Sequence, residues 1–270
     1  MKIQRINIIT ILTMILSIVL SIVSYYGAFI PGTYKRETVS MAVQGTGQDI
    51  FDLFFVVPLL LISLFFMHKE KKSTLLIFSG TDLYILYSFI IYSFGVHFNS
   101  LFILYCAVLG LSLYTFILIL IQLSTMNVKE WFNSKTPRRS VAIFFLIFAS
   151  MFYIIWLKDI IPAIVSNSIP KSVSQYNLLV NPVHVLDIAI VLPGLIIIAI
   201  LLLRQNRTGF LFAPIILVFT ILMALALLSM VIMLQIRGIN EDPSIAAIFI
   251  VLTLISGIFL FFFIRSIELS

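Results

Sequence analysis

Eight apolar runs, each long enough to cross a bilayer, limit this chain more than any other feature. A helical span takes roughly 17 to 25 residues, and runs of that length fall at about 7–30, 50–67, 74–96, 100–123, 140–157, 185–203, 210–234 and 245–264. Inside hydrocarbon every backbone amide must be satisfied by the chain itself, which leaves helices or closed barrels. The runs are continuous rather than alternating, so the expectation is an all-α, polytopic integral membrane protein with eight transmembrane helices. The charge content agrees: 10% of residues are charged and the mean hydropathy is +1.18, against about 25% charged in soluble domains.

The first run follows Lys2 and Arg5. It is longer than the apolar core of a secretory signal, so it is expected to be retained as a span. Basic residues then orient the chain. With the N-terminus inside, the inner face carries Lys2, Arg5, Lys69, Lys71, Lys72, Lys129, Lys135, Arg138, Arg139, Arg204, Arg207 and Arg265. The outer face carries only Lys35, Arg36, Lys158, Lys171 and Arg237. That asymmetry is the positive-inside pattern, and it predicts a plasma-membrane protein with both termini cytoplasmic. The net charge of +6 follows from the same rule and implies no nucleic-acid partner; the bilayer is the partner it implies.

Within the spans one pattern occurs twice. Residues 49–61 read DIFDLFFVVPLLL and residues 184–196 read HVLDIAIVLPGLI, so Asp52 and Pro58 recur as Asp187 and Pro193, 135 positions on in a chain of 270. The pattern predicts two tandem four-helix repeats, 1–135 and 136–270, within one membrane domain. An even number of spans per half gives the halves the same orientation, as parallel repeats about an axis along the membrane normal. The longest outer loops, 31–49 and 158–184, occupy matching places.

Motif chemistry is sparse. There is no Walker loop, no Rossmann glycine fingerprint and no HExxH helix, and the single cysteine, Cys106, allows no disulfide within the chain. Nothing in the spacing specifies a cofactor or a metal site. His97 and His184 are both predicted outer but carry no haem-binding spacing, and His68 lies in a basic inner loop. The tyrosines at 84, 87, 92, 105 and 114 read chiefly as core and interface aromatics.

Polar residues in costly places remain. Asp82 sits about 12 Å into the third span at 1.5 Å per residue, where an ionised carboxylate costs at least about 2.5 to 3.5 kcal/mol. Ser79, Thr81, Tyr84 and Tyr87 are near enough to form a polar pocket around it, or to tie it down as interhelical glue. Pro58 and Pro193 each lack an amide donor and release the carbonyl four residues back, making them hinge or kink candidates. Asp49 aligns with His184 and Asp52 with Asp187; Asp49 and Asp52 stand three apart on one helix face, as do His184 and Asp187. Either these residues cap the starts of their helices, with Asn181 and Pro182 starting the sixth, or Asp52 and Asp187 turn toward each other across the repeat axis.

The reading preferred on these grounds is small-solute or ion transport or binding at the interface of the two repeats, with Asp82, Asp52, Asp187, Asp49 and His184 as ligand-binding or ion-coupling candidates. The alternatives are a membrane-embedded enzyme acting on a lipid, quinone or haem-related substrate, and a non-catalytic subunit with membrane-protein partners. The topology makes a direct prediction: with Cys106 replaced, single cysteines at Ser134 and Ser174 are expected to react with an impermeant thiol reagent from opposite sides of the membrane. Reaction of both from the outside would refute it.

Overall fold

The structure, a computed structural model, describes residues 2–67, 71–239 and 242–268, with side chains from residue 8 onward apart from Pro243. His68, Lys69 and Glu241 therefore lie outside the described residues, as do the side chains of Lys2 and Arg5. Among the described residues eight helices are long and apolar enough to cross a membrane. They are α1 (Lys2–Phe29), α2 (Val39–Met67), α3 (Lys72–Gly95), α4 (Phe102–Ser124), α5 (Arg138–Val165), α6 (Pro182–Leu203), α7 (Arg207–Ile236) and α8 (Pro243–Arg265). The chain is an all-α, multi-pass membrane protein.

Two helices depart from the lengths expected. The apolar run predicted α2 from residue 50, but the helix begins at Val39, capped by the Thr38 hydroxyl, which accepts from the Met41 amide. The predicted outer loop 31–49 thus shrinks to the connection 30–38. The added turns are polar, and they stay helical because their side chains find partners: Gln44 donates to Ser40, and Thr46 donates to the Ala42 and Gly27 carbonyls. Likewise α5 runs on to Val165 rather than ending near 157. The rest of the 158–184 loop contains a single helical turn, Lys171–Ser174.

The helices that carry Pro58 and Pro193 each contain a π turn just before that proline. In α2 it spans Asp52–Val56 and the Val57 amide donates to the Asp52 carbonyl; in α6 it spans Asp187–Val191 and the Leu192 amide donates to the Asp187 carbonyl. A proline cannot donate to the carbonyl four residues back and its ring crowds that carbonyl. Widening the preceding turn by one residue relieves both problems. The same turn forms in α2, which lacks a glycine beside its proline, and in α6, where Gly194 follows Pro193.

The chain divides into two compact units, Met1–Thr136 with Pro214–Ser270, and Pro137–Ala213. The first unit is built on a ring of four helices, in which α1 packs on α2 and α4, and α3 packs on α2 and α4. α3 is the most enclosed span. α7 reaches this ring through two glycines: a Cβ on Gly80 would lie 2.5 Å from Val218, and one on Gly47 would lie 2.8 Å from the Met230 backbone. Ser229 also donates to the Gly47 carbonyl at 2.7 Å, and the Tyr87 and Phe219 rings meet edge to face. At the opposite end the basic 125–137 loop is tied to the C-terminal turn by Thr136 and Ser266, 2.8 Å apart, and by the Phe132 and Phe263 rings.

The second unit is simpler. α5 and α6 pack along their lengths, Asn181 caps α6 with Pro182 at its first turn, as the sequence suggested, and Arg138 donates to the Leu203 carbonyl. Gly209 lets the start of α7 lie against Leu202, where a Cβ would come within 2.4 Å of the backbone.

Candidate functional site

The most heavily built polar site lies inside the first unit, around Asp49 and Asp52. The connection 30–38 turns at Gly32, whose φ of +82° favours glycine, and folds back over the α3–α4 turn. Glu37 holds that turn, accepting from the His97 amide at 2.6 Å and from its ring at 2.9 Å. Arg36 donates to the Phe98 carbonyl with its guanidinium over the Phe98 ring. Pinned in this way, the connection buries Tyr34 against α2.

Asp49 is fully buried. One carboxylate oxygen accepts from the Tyr34 hydroxyl and the other from Tyr92 on α3 at 3.2 Å. Space for the carboxylate comes from α1, where Gly27 is so close that a Cβ there would fall 1.8 Å from Asp49 Oδ2. One turn further along α2, Asp52 is 1% exposed and accepts from Tyr84 at 2.7 Å, while its Oδ2 has no partner. Tyr105 on α4 closes the cluster edge to face against Tyr92, with its hydroxyl receiving a hydrogen bond from Asn99. Among the described residues no basic side chain pairs with either carboxylate.

Capping does not account for these two acids. The N-cap of α2 is Thr38, so Asp49 stands 11 residues and about 16 Å into the helix, beyond the reach of the helix dipole. Tyr34 lies in the connection; burial first and the Asp49 carboxylate second push its phenol well above the usual value of 10.

The remaining candidates fall elsewhere. Asp82 is fully buried in α3, and neither of its oxygens has a partner. The pocket expected around it does not form: Ser79 donates to the Leu75 carbonyl, Thr81 to Ile77 and Tyr84 to Asp52. These hydroxyls satisfy their own helix or Asp52, because a serine or threonine inside a helix reaches the carbonyl four residues back most easily. In the second unit Trp156 organises the polar residues, its indole N–H donating to Asp187 at 2.9 Å and its ring packing 4.6 Å from that of His184. His184 is buried, with Nε2 unpartnered. Asp159 accepts from Ser172 in the loop beyond. Asp52 and Asp187 thus each have partners within their own units, and His97 is engaged by Glu37.

Tyr34, Tyr92 and Trp156 were not singled out from sequence as donors to carboxylates. A usable signal was present: in a protein this apolar, a buried phenol or indole needs an acceptor, and few acids are available. Among the described residues no group of three or more His, Cys, Asp or Glu side chains is gathered as metal ligands. No protein-family model, curated protein or solved structure matches this chain. Fold and site together define a multi-pass membrane protein with a buried pair of acids held by phenols.

The folded Tyr34 phenol titrates above its unfolded value near 10. Its contribution to stability is therefore complete below pH 10 and is lost as the pH rises through the folded value. Tyr34→Phe leaves a buried carboxylate oxygen without its donor, so thermal unfolding in detergent is expected to show a loss of about 1–3 kcal/mol at neutral pH. The same variant is expected to lose less stability than wild type above pH 10.

Proposed function

We propose that this protein binds and transports a small cation, or a small solute coupled to one, across the plasma membrane, and that Asp49 and Asp52 form the cation site. The observation that carries this reading is the absence, among the described residues, of a basic partner for two buried acids one helical turn apart. Two carboxylates about 6 Å apart repel by roughly 3 kcal/mol at an effective dielectric of 20, and each also loses hydration on burial. Phenol donors soften that cost without cancelling a charge. The pair is thus arranged to take up a positive charge, either a proton shared between the acids or a small cation held by carboxylate and phenol oxygens. Asp52 Oδ2, which has no other partner, is the free ligand position.

Tandem duplication belongs to the same reading. It is supported by the two π turns, each five residues long, each beginning at an aspartate and each followed by proline, at Asp52 and Asp187, 135 positions apart. π turns often mark functional sites. On this view the second copy kept the backbone feature while its acid acquired an indole donor, Trp156.

The test is flux through the full-length protein reconstituted in liposomes under an imposed membrane potential, with H+ followed by a trapped pH dye and Na+ by tracer uptake. One of the two is expected to move, and Asp49→Asn or Asp52→Asn to slow it at least tenfold. No flux of either ion, or equal flux in wild type and both variants, would overturn the proposal.

A further inference from the structure

A further buried acid, Asp82, stands on a different helix from the first pair. α3 and α4 form an antiparallel hairpin whose register is fixed by the contact between Tyr92 and Tyr105, with ring centroids 5.3 Å apart. Moving inward from that contact by three, four and three residues reaches Asp82 on α3 and Thr115 on α4. This is the spacing of a coiled-coil seam, and the intervening layers, Phe89 with Val108 and Ile85 with Ser112, are buried throughout. Asp82 and Thr115 thus occupy one layer, about 15 Å inward of the tyrosine contact.

Both residues of that layer are fully buried, and both Asp82 oxygens and the Thr115 hydroxyl are without hydrogen-bond partners. Structural glue would spend those atoms on each other or on a neighbouring helix. Other buried polar atoms without partners lie at intervals along the same ring of helices: Ser24 Oγ and Asp52 Oδ2 one turn inward of the Gly27–Asp49 contact, and Gln122 Oε1 about 25 Å inward of Tyr105. Buried polar atoms are satisfied by protein or by internal water, and atoms left over by the protein are positions that water can serve.

We propose that α1 to α4 enclose a water-linked proton path, and that Asp82, linked by water to Thr115, is its middle station between the Asp49–Asp52 pair and the Gln122 end. A proton suits the layer better than a metal ion. Hard cations take six or more oxygens; this layer offers three, between apolar neighbours. The step is a proton relay: the Asp82 carboxyl releases its proton to water on one side and regains one from the other, with no change in redox state. The proposal rests on the outer pair being the cation site and adds to it the identity of the ion.

Infrared spectroscopy of the full-length protein in lipid nanodiscs during exchange from H2O to D2O tests this separately from flux. A protonated-carboxyl band is expected to disappear in Asp82→Asn, to persist in Asp52→Asn, and to shift on deuteration within seconds. Thr115→Val is expected to change its frequency and to slow its exchange at least tenfold. If Asp82→Asn does not fold, the same exchange rate read in Thr115→Val and Gln122→Leu decides the matter. Loss of no band in Asp82→Asn, a band that resists exchange for hours, or an exchange rate unmoved by Thr115→Val would overturn the path. An unchanged Asp82 band alongside flux indifferent to Asp49 and Asp52 would instead locate the failure in the outer site.

Discussion

The first unit depends on burying two carboxylates, Asp49 and Asp52, in the interior of a membrane bundle with no basic residue among those described to neutralise them. Their surroundings follow from that constraint. Tyr34, Tyr84 and Tyr92 come from three different segments to donate to them. α1 supplies a glycine because any larger residue would occupy the space of the Asp49 carboxylate. The short connection after α1 is clamped by Glu37 and Arg36, which keeps Tyr34 inside the bundle. An isolated buried charge is costly, so an arrangement that holds two acids without a counter-charge leaves room for a positive ligand.

The number, type and approximate position of the spans were legible in the sequence because hydropathy over about 20 residues reports the bilayer directly. The start of α2 was not. Residues 39–49 include Gly45, Gly47, Gln44, Gln48 and Asp49, a composition that reads as loop, and only the three-dimensional partners of those side chains explain why the helix continues. The acids themselves were legible as polar residues out of place. Their partners were not, since Tyr34 lies in a connection and Tyr92 belongs to a helix whose tyrosines read as ordinary aromatics. The pocket expected around Asp82 failed for a local reason: Ser79 and Thr81 are spent on carbonyls of their own helix.

The prolines show how a sequence feature and a backbone feature can coincide without side-chain identity. Pro58 and Pro193 follow π turns of equal length, yet the polar residues around those turns differ. Asp49 with phenol donors stands in the first unit, and His184 against Trp156 in the second. In one helix the widened turn starts at an acid with an unpartnered oxygen, and in the other at an acid bonded to an indole. The two sites are therefore chemically unequal, and the ion-binding argument applies to the first.

The claim on which the rest turns is that the Asp49–Asp52 pair binds a positive charge, and the thermal unfolding of the detergent-purified protein measures it most directly. The unfolding temperature should be followed across pH, and with Na+ exchanged for choline at constant ionic strength, because a ligand that binds only the folded state raises it. The account predicts that wild type responds to one of the two ions. It also predicts that the doubly substituted protein, Asp49→Asn with Asp52→Asn, is at least as stable as wild type and indifferent to that ion. A wild type indifferent to both ions, together with a doubly substituted protein that is clearly less stable, would mean that the pair is structural and would contradict the account.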